Sequence, residues 1–164
     1  YGLFGYLLFV ATLGWGYSML AGAFSLAIMI LPVIIRSTEE SLKSVPDSYR
    51  EGSFGLGAGK LRTVFKIVLP AAMPGILAGI ILSIGRIVGE TAVLIYTSGT
   101  VAQIPKSLMG SGRTLSVHLY ALWSEGMNTE SAYATAVVLV VTVIFLNAMS
   151  AYVAKKFTKG KKNG

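Results

Sequence analysis

The sequence contains no cysteine among its 164 residues. This excludes a disulfide framework, a thiolate metal site and cysteine nucleophile chemistry, and it leaves the redox compartment unmarked. Charge is scarce too: charged residues make up 13% against 54% hydrophobic, and the mean hydropathy of +0.68 exceeds what soluble domains usually show. No Walker A loop, catalytic triad or metal-ligand cluster is present, so any ATP hydrolysis belongs to another chain. His118 is the one histidine and lies among Leu115, Val117, Leu119 and Tyr120 without a second metal-ligand type nearby. Anchoring a surface helix suits it better than metal binding, with a pH-responsive group or proton carrier as the alternative. Tyr1 opens directly into an apolar stretch with no initiator Met and no basic n-region, so the chain is expected to be truncated.

Over long runs charge is absent altogether. Residues 1–35 hold no charged side chain, and as one helix they would be about 52 Å long, far beyond a hydrocarbon core of roughly 30 Å. A break is expected at Gly14-Trp15-Gly16-Tyr17, where glycines loosen the helix and aromatics suit a membrane interface. It leaves 1–13, too short to span, and 17–35, about long enough, with Pro32 near its end as a kink point. Residues 71–96 are again long enough to cross, opened by Pro70 and Pro74 and interrupted by Arg86 and Glu90. Residues 98–130 are mixed, with an apolar patch at 115–123 that reads as a surface or re-entrant helix. Residues 131–154 carry no charge and form the clearest span, with Thr129 as its expected N-cap. The class predicted is an all-α polytopic membrane protein.

Residues 36–66 are a different material, rich in Arg, Lys, Glu and Asp. Capping-box patterns at Ser37-x-x-Glu40 and Ser48-x-x-Glu51 predict short helices outside the bilayer. These should separate at Val45-Pro46-Asp47 and again at Gly55-Leu56-Gly57-Ala58-Gly59. Basic residues concentrate here and in the tail at 155–164, while the loop between carries only Lys106 and Arg113, which places both basic blocks in the cytoplasm. Membrane orientation thereby accounts for the net charge of +7, and nucleic acid is not expected as a partner. A short charged helix bearing small residues can seat in a groove of a cytosolic partner, and a following helix that runs straight into a span can pass its movement on. The commoner alternative for a mixed-charge loop is a solvated helical hairpin.

The loop contains Glu51-Gly52-Ser53, then Gly57, then Ile67-Val68-Leu69-Pro70. This spacing resembles the EAA loop of ABC importer permeases, where a Glu and two small residues are followed by Gly and by Ile-x-Leu-Pro; Gly52 and Ser53 stand in place of two alanines. The stretches 34–40, 45–51, Gly89-Glu90-Thr91-Ala92 and 111–120 are similar to the phosphate-specific ABC importer, specifically its A-type permease subunit, over nearly the whole chain. The family often has Pro after Gly-Glu-Thr-Ala, where this chain has Val93, so no proline kink is carried over to that position. The resemblance implies permease transmembrane helices over 1–154, with a cytoplasmic coupling-helix loop at 36–70 and a basic tail. It implies the C-terminal part of a six-helix permease in a bacterial or archaeal cytoplasmic membrane. The implied partners are a C-type permease subunit, a cytosolic ATPase dimer that holds ATP and Mg, an extracytoplasmic phosphate-binding protein and phosphate itself; no cofactor is expected in this chain. Glu51, Gly52, Ser53, Gly57, Leu69 and Pro70 would form the ATPase-coupling loop.

Arg86 and Glu90 are four apart, hence on one face of a continuous helix, at a depth where isolated charges are costly. With Thr91 they are the candidate translocation path, since an anion needs cationic or N–H donors along its route and a site weak enough to release it. A structural ion pair that neutralises itself is the alternative. Gly85 and Gly89 have small-xxx-small spacing, which suits close helix packing. The competing functions are a C-type phosphate permease, a permease for molybdate or sulfate, a simple channel, and an integral membrane enzyme built on Arg86, Glu90 and His118.

Overall fold

The computed structural model describes residues 1–126 and 128–159. The end of the expected basic tail, Lys161 and Lys162 included, lies outside them. Helices account for the secondary structure of the described residues, and no strand occurs among them. Three helices are long and apolar enough to cross a membrane: Met19–Lys43, Lys60–Gly89 and Thr129–Lys155. By contact the chain divides into two compact units, one of Tyr1–Leu31 with Ile84–Leu146, the other of Pro32–Ser83 with Asn147–Gly164.

In the first unit, α1 (Gly2–Gly5) continues as π-helical turns over Tyr6–Thr12. The helix stops where Gly14 and Gly16 take φ of 66° and 63°, a left-handed geometry that glycine adopts without a Cβ penalty. Ser18 then caps α2 (Met19–Lys43), its Oγ accepting from Ala21 N–H at 3.2 Å. The next two amides donate to loop carbonyls, Met19 N–H to Gly110 O and Leu20 N–H to Leu108 O, both at 3.0 Å. An apolar helix end thus has its free donors satisfied by a segment some 90 residues away, as burial requires. Phe9 stacks on Trp15 at 5.4 Å, and both rings lie against Phe24. Also in this unit are α6 (Ala92–Thr97) and α7 (Leu115–Glu125), the latter capped by Thr114 and closed by Gly126 in the left-handed region. The last helix, α8 (Thr129–Lys159), begins in this unit and ends in the other.

In the second unit α2 does not stop at Ile35, and neither expected capping box forms. Ser37 lies inside α2, and α3 (Asp47–Gly55) begins before Ser48 and has no side-chain cap. The physical reason is local. Nothing between 36 and 43 breaks a helix, and Lys43 Nζ reaches Glu39 Oε1 at 2.6 Å one turn back, supporting the helix in its charged part. Pro32 consequently sits mid-helix. The turn at 44–46 and the stretch at 56–59 separate the helices where proline and glycine predict. Then α4 (Lys60–Thr63), a π-helical segment (Val64–Val68) and α5 (Leu69–Gly89) run on without a gap. The π segment ends two residues before Pro70, which has no N–H to donate to Lys66, and Leu69 N–H donates five residues back to Val64 O.

The core of this unit is Val45, Val68 and Ala72, with Leu42 and Ile76 packed on it. Beside it α2 and α5 come close at small residues. A Cβ on Gly75 would lie 2.6 Å from Ser41 Oγ, and one on Gly79 would overlap the Ser37 hydroxyl. Close packing is found at Gly75 and Gly79, because Ser37 and Ser41 are the small residues that face them; at Gly89, where it was also expected, a Cβ would meet nothing within 4 Å.

Candidate functional site

Two regions hold the residues singled out above. The first is the loop around α3. Arg50 stitches its start: Nη2 donates to Leu42 O at 2.8 Å, and Nη1 to Val45 O at 2.9 Å and to Asp47 Oδ1 at 2.6 Å. A cation thus meets the Leu42 carbonyl in the last turn of α2 and the Val45 carbonyl of the turn that follows. Ser53, 7% exposed, is hydroxyl-bonded to Thr63, 1% exposed, at 2.8 Å, which clamps α3 against α4. Glu51 and Gly52, earlier on α3, are exposed. Gly57 turns the chain at φ 79°, and its N–H donates to Phe54 O at 2.9 Å. Between α3 and the helix that follows lies a groove of about 520 Å³, walled by Tyr49, Gly52, Gly57 and Ala58 and flanked by Arg62 and Lys66. Leu69 and Pro70 are half-buried, and they follow Val68 of the core.

The second region is the end of α5, where the expectation of one helix over 71–96 is overturned. The helix ends at Gly89, Glu90 and Thr91 are non-helical, and α6 starts at Ala92. Glu90 is therefore not the i+4 partner of Arg86 on one helical face, and no Arg86–Glu90 ion pair is formed among the described residues, whose two ion pairs are Lys43–Glu39 and Arg50–Asp47. Arg86 is exposed, whereas Glu90 turns to the start of α6, where its Oε1 accepts from Val93 N–H at 3.4 Å. A carboxylate there answers the free donors and partial positive charge of a helix N-terminus. Thr91 Oγ1 reaches back to Gly89 O at 3.4 Å. Thr91 also lines a groove of about 420 Å³ with Leu119, Tyr120, Trp123 and Tyr133, a mostly apolar surface unsuited to an anion.

Sequence reasoning missed Ser116. It is 4% exposed, and its hydroxyl donates to Glu90 O at 2.7 Å across 26 residues of chain. A serine early in an apolar helix carries no local signal of such a partner. His118 is engaged by Arg113, Nη1 to Nδ1 at 3.0 Å, while Arg113 Nε donates to Thr100 O at 2.6 Å. No group of three metal-ligating side chains occurs among the described residues. The expected N-cap at Thr129 shifts by one residue, since Asn128 Oδ1 accepts from Ser131 N–H at 3.0 Å and Thr129 is already helical.

The family described as Binding-protein-dependent transport system inner membrane component matches residues 3–159. The chain belongs to this family of transport permeases. Among relatives, the Probable ABC transporter permease protein YqgI of Bacillus subtilis (strain 168) is 35% identical over 162 residues, covering 89% of this chain and 55% of that protein. The Phosphate transport system permease protein PstA 1 of Mycobacterium tuberculosis (strain ATCC 25618 / H37Rv) is 38% identical over 165 residues, 98% of this chain and 53% of that one. The Phosphate transport system permease protein PstA of Mycobacterium leprae (strain TN) is 38% identical over 154 residues, 91% and 50% respectively. The chain spans about half the length of these curated relatives. No solved structure matches it. With three helices of membrane-crossing length and composition, the permease segment belongs to a multi-pass membrane protein. Its family is one of transporters and not of enzymes, which removes the membrane-enzyme reading.

Proposed function

We propose that this chain is the C-terminal part of the permease subunit of an ATP-driven importer of inorganic phosphate, and that it couples solute movement to a cytosolic ATPase through the loop at 36–70. The observation that carries the reading is the build of that loop. An exposed Glu51–Gly52 face is held on a short helix by the buried Ser53–Thr63 bond, and the helix after it runs from Lys60 to Gly89 without a gap. A push on α3 is thereby delivered to a rigid element of membrane length. The substrate assignment rests on the phosphate permeases among the relatives. Partners of the kinds this reading needs are a C-type permease, an ATPase dimer that binds ATP and Mg, and an extracytoplasmic phosphate-binding protein. The basic residues of the loop and tail favour a cytoplasmic position for both, in a bacterial or archaeal cytoplasmic membrane.

Arg86 supplies positive potential along the path in this reading, with Glu90 and Thr91 at the adjoining break. The test is the complete permease co-expressed with its ATPase and C-type partner and assayed for phosphate uptake in vesicles. Arg86→Gln is expected to assemble and to lose most uptake, with Lys rescuing in part because it lacks the planar fork. Normal uptake per assembled complex in Arg86→Gln removes the residue from the path. Orientation is checked in the same preparation by single cysteines replacing Ser53 and Ser111. Labelling of both from one side by an impermeant reagent contradicts the cytoplasmic loop.

A further inference from the structure

We propose that Ser116 is a positioning residue for transport: its hydroxyl, presented by α7, holds the break at Glu90–Thr91 in the shape that the path past Arg86 requires. The inference rests on the transport reading above and adds to it a residue that approaches the path from another element.

The break is an unusual place for a backbone carbonyl. At the end of a membrane-length helix the carbonyl of Glu90 has lost its helical geometry, and a buried or lipid-facing carbonyl without a partner is strongly disfavoured. Ser116 supplies the donor at 2.7 Å. The serine is itself fixed. It lies in the first turn of α7 beside Val117, which is fully buried, and within 3.1 Å of the Oγ1 of Thr114, which caps the helix by accepting from Val117 N–H. On the other side of the tie, the Glu90 carboxylate faces Val93 N–H, so Glu90 is held through its carbonyl by α7 and through its side chain by α6. Without the Ser116 hydroxyl, no other hydrogen bond among the described residues holds the carbonyl of Glu90 to α7, and the peptide can rotate. Such a rotation re-aims the carboxylate and the Gly89–Thr91 backbone together, four residues from Arg86. The tie thus makes the geometry of the path depend on the placement of α7.

The test compares side chains of equal bulk, Ser116→Thr and Ser116→Val, in the complete permease with its partners, so that any crowding by the added methyl groups cancels. Assembled complex, ATPase association, and phosphate uptake per assembled complex are measured, with uptake resolved into maximal rate and half-saturating concentration. Thr should keep uptake close to that of wild type, whereas Val should lose about tenfold per assembled complex, the scale expected for one buried hydrogen bond. Equal uptake in Thr and Val overturns the proposal, as does a loss in Val that merely follows a loss of assembled protein. Arg86→Gln measured alongside separates the two readings. Lost uptake in Arg86→Gln with normal uptake in Ser116→Val removes the positioning role and leaves the path intact. Normal uptake in both removes the path and the positioning role with it.

Discussion

Two loops of the described chain, the one around α3 and the one from 98 to 114, use glycine in opposite ways. In the loop around α3, a Cβ added to Gly52, Gly55, Gly57 or Gly59 would meet nothing within 4 Å. In the loop from 98 to 114 the glycines are crowded. A Cβ on Gly112 would lie 2.9 Å from Met19 Sδ and 3.3 Å from Pro105, and one on Gly99, already at φ 98°, would run into the Ser111 hydroxyl. The second loop is also bonded inward: Ser98 Oγ donates to Gly112 O at 2.6 Å, Ser111 Oγ to Ser98 O at 2.8 Å, and Gly112 N–H to Ser98 O at 3.2 Å. Crowded glycine serves the chain's own packing. Open glycine serves the backbone turn at Gly57 and, in the coupling role proposed above, leaves the surface flat at Gly52.

The sharpest way to break this comparison is to add side chains to both loops. Gly99→Val meets a left-handed backbone and a filled space at once, each worth of order 1–3 kcal/mol, so assembled permease should fall steeply; normal assembly would mean that the loop is not packed as described. Gly52→Trp should leave insertion and assembly of the two permeases unchanged while reducing ATPase association, and Gly52→Ala should be tolerated with a gain of up to about 1 kcal/mol in helix stability. Gly57→Trp should block ATPase association as well, with an added backbone cost of about 1–2 kcal/mol because a side chain there enters the left-handed region. Unchanged ATPase association and coupled uptake in both Trp variants would end the coupling assignment.

What the sequence reveals and what it hides divide along the range of the interactions. The stops at Gly14–Gly16, at Pro46 and across 55–59 are set by residues at those positions, and the structure breaks the chain there. The spacing of Glu51, Gly57 and Leu69–Pro70 is a local pattern and was legible as a motif, and the family match supports the permease class it suggested. The continuation of α2 to Lys43 was hidden because a change of polarity is not a helix breaker. The stop at Gly89 was hidden because no proline or turn motif marks it locally, and the hydroxyl that bonds the Glu90 carbonyl beyond it, Ser116, lies 26 residues after Glu90. Gly75 and Gly79 are faced by the serines of α2, whereas a Cβ on Gly89 of the same helix would meet nothing within 4 Å. No reading of one helix alone could have distinguished these positions.

The smallest effect expected concerns the clamp under the open glycines. The Ser53–Thr63 bond is a neutral hydroxyl pair at 2.8 Å, buried, and Thr63 Oγ1 has a second contact with Gly59 O at 3.2 Å. Ser53→Ala therefore leaves Thr63 with an acceptor and should cost only about 1 kcal/mol of α3 docking. Thr63→Val loses both contacts and keeps the bulk, so it should cost somewhat more. The informative quantity is the coupling between them, measured as assembled permease and as ATPase association in Ser53→Ala, Thr63→Val and the double variant. If the bond seats α3, the double variant should be no worse than Thr63→Val alone, because the bond is already gone. Strict additivity would mean that the two hydroxyls act independently. The orientation of the exposed Glu51–Gly52 face would then have to come from Arg50, whose guanidinium binds the carbonyls of Leu42 and Val45.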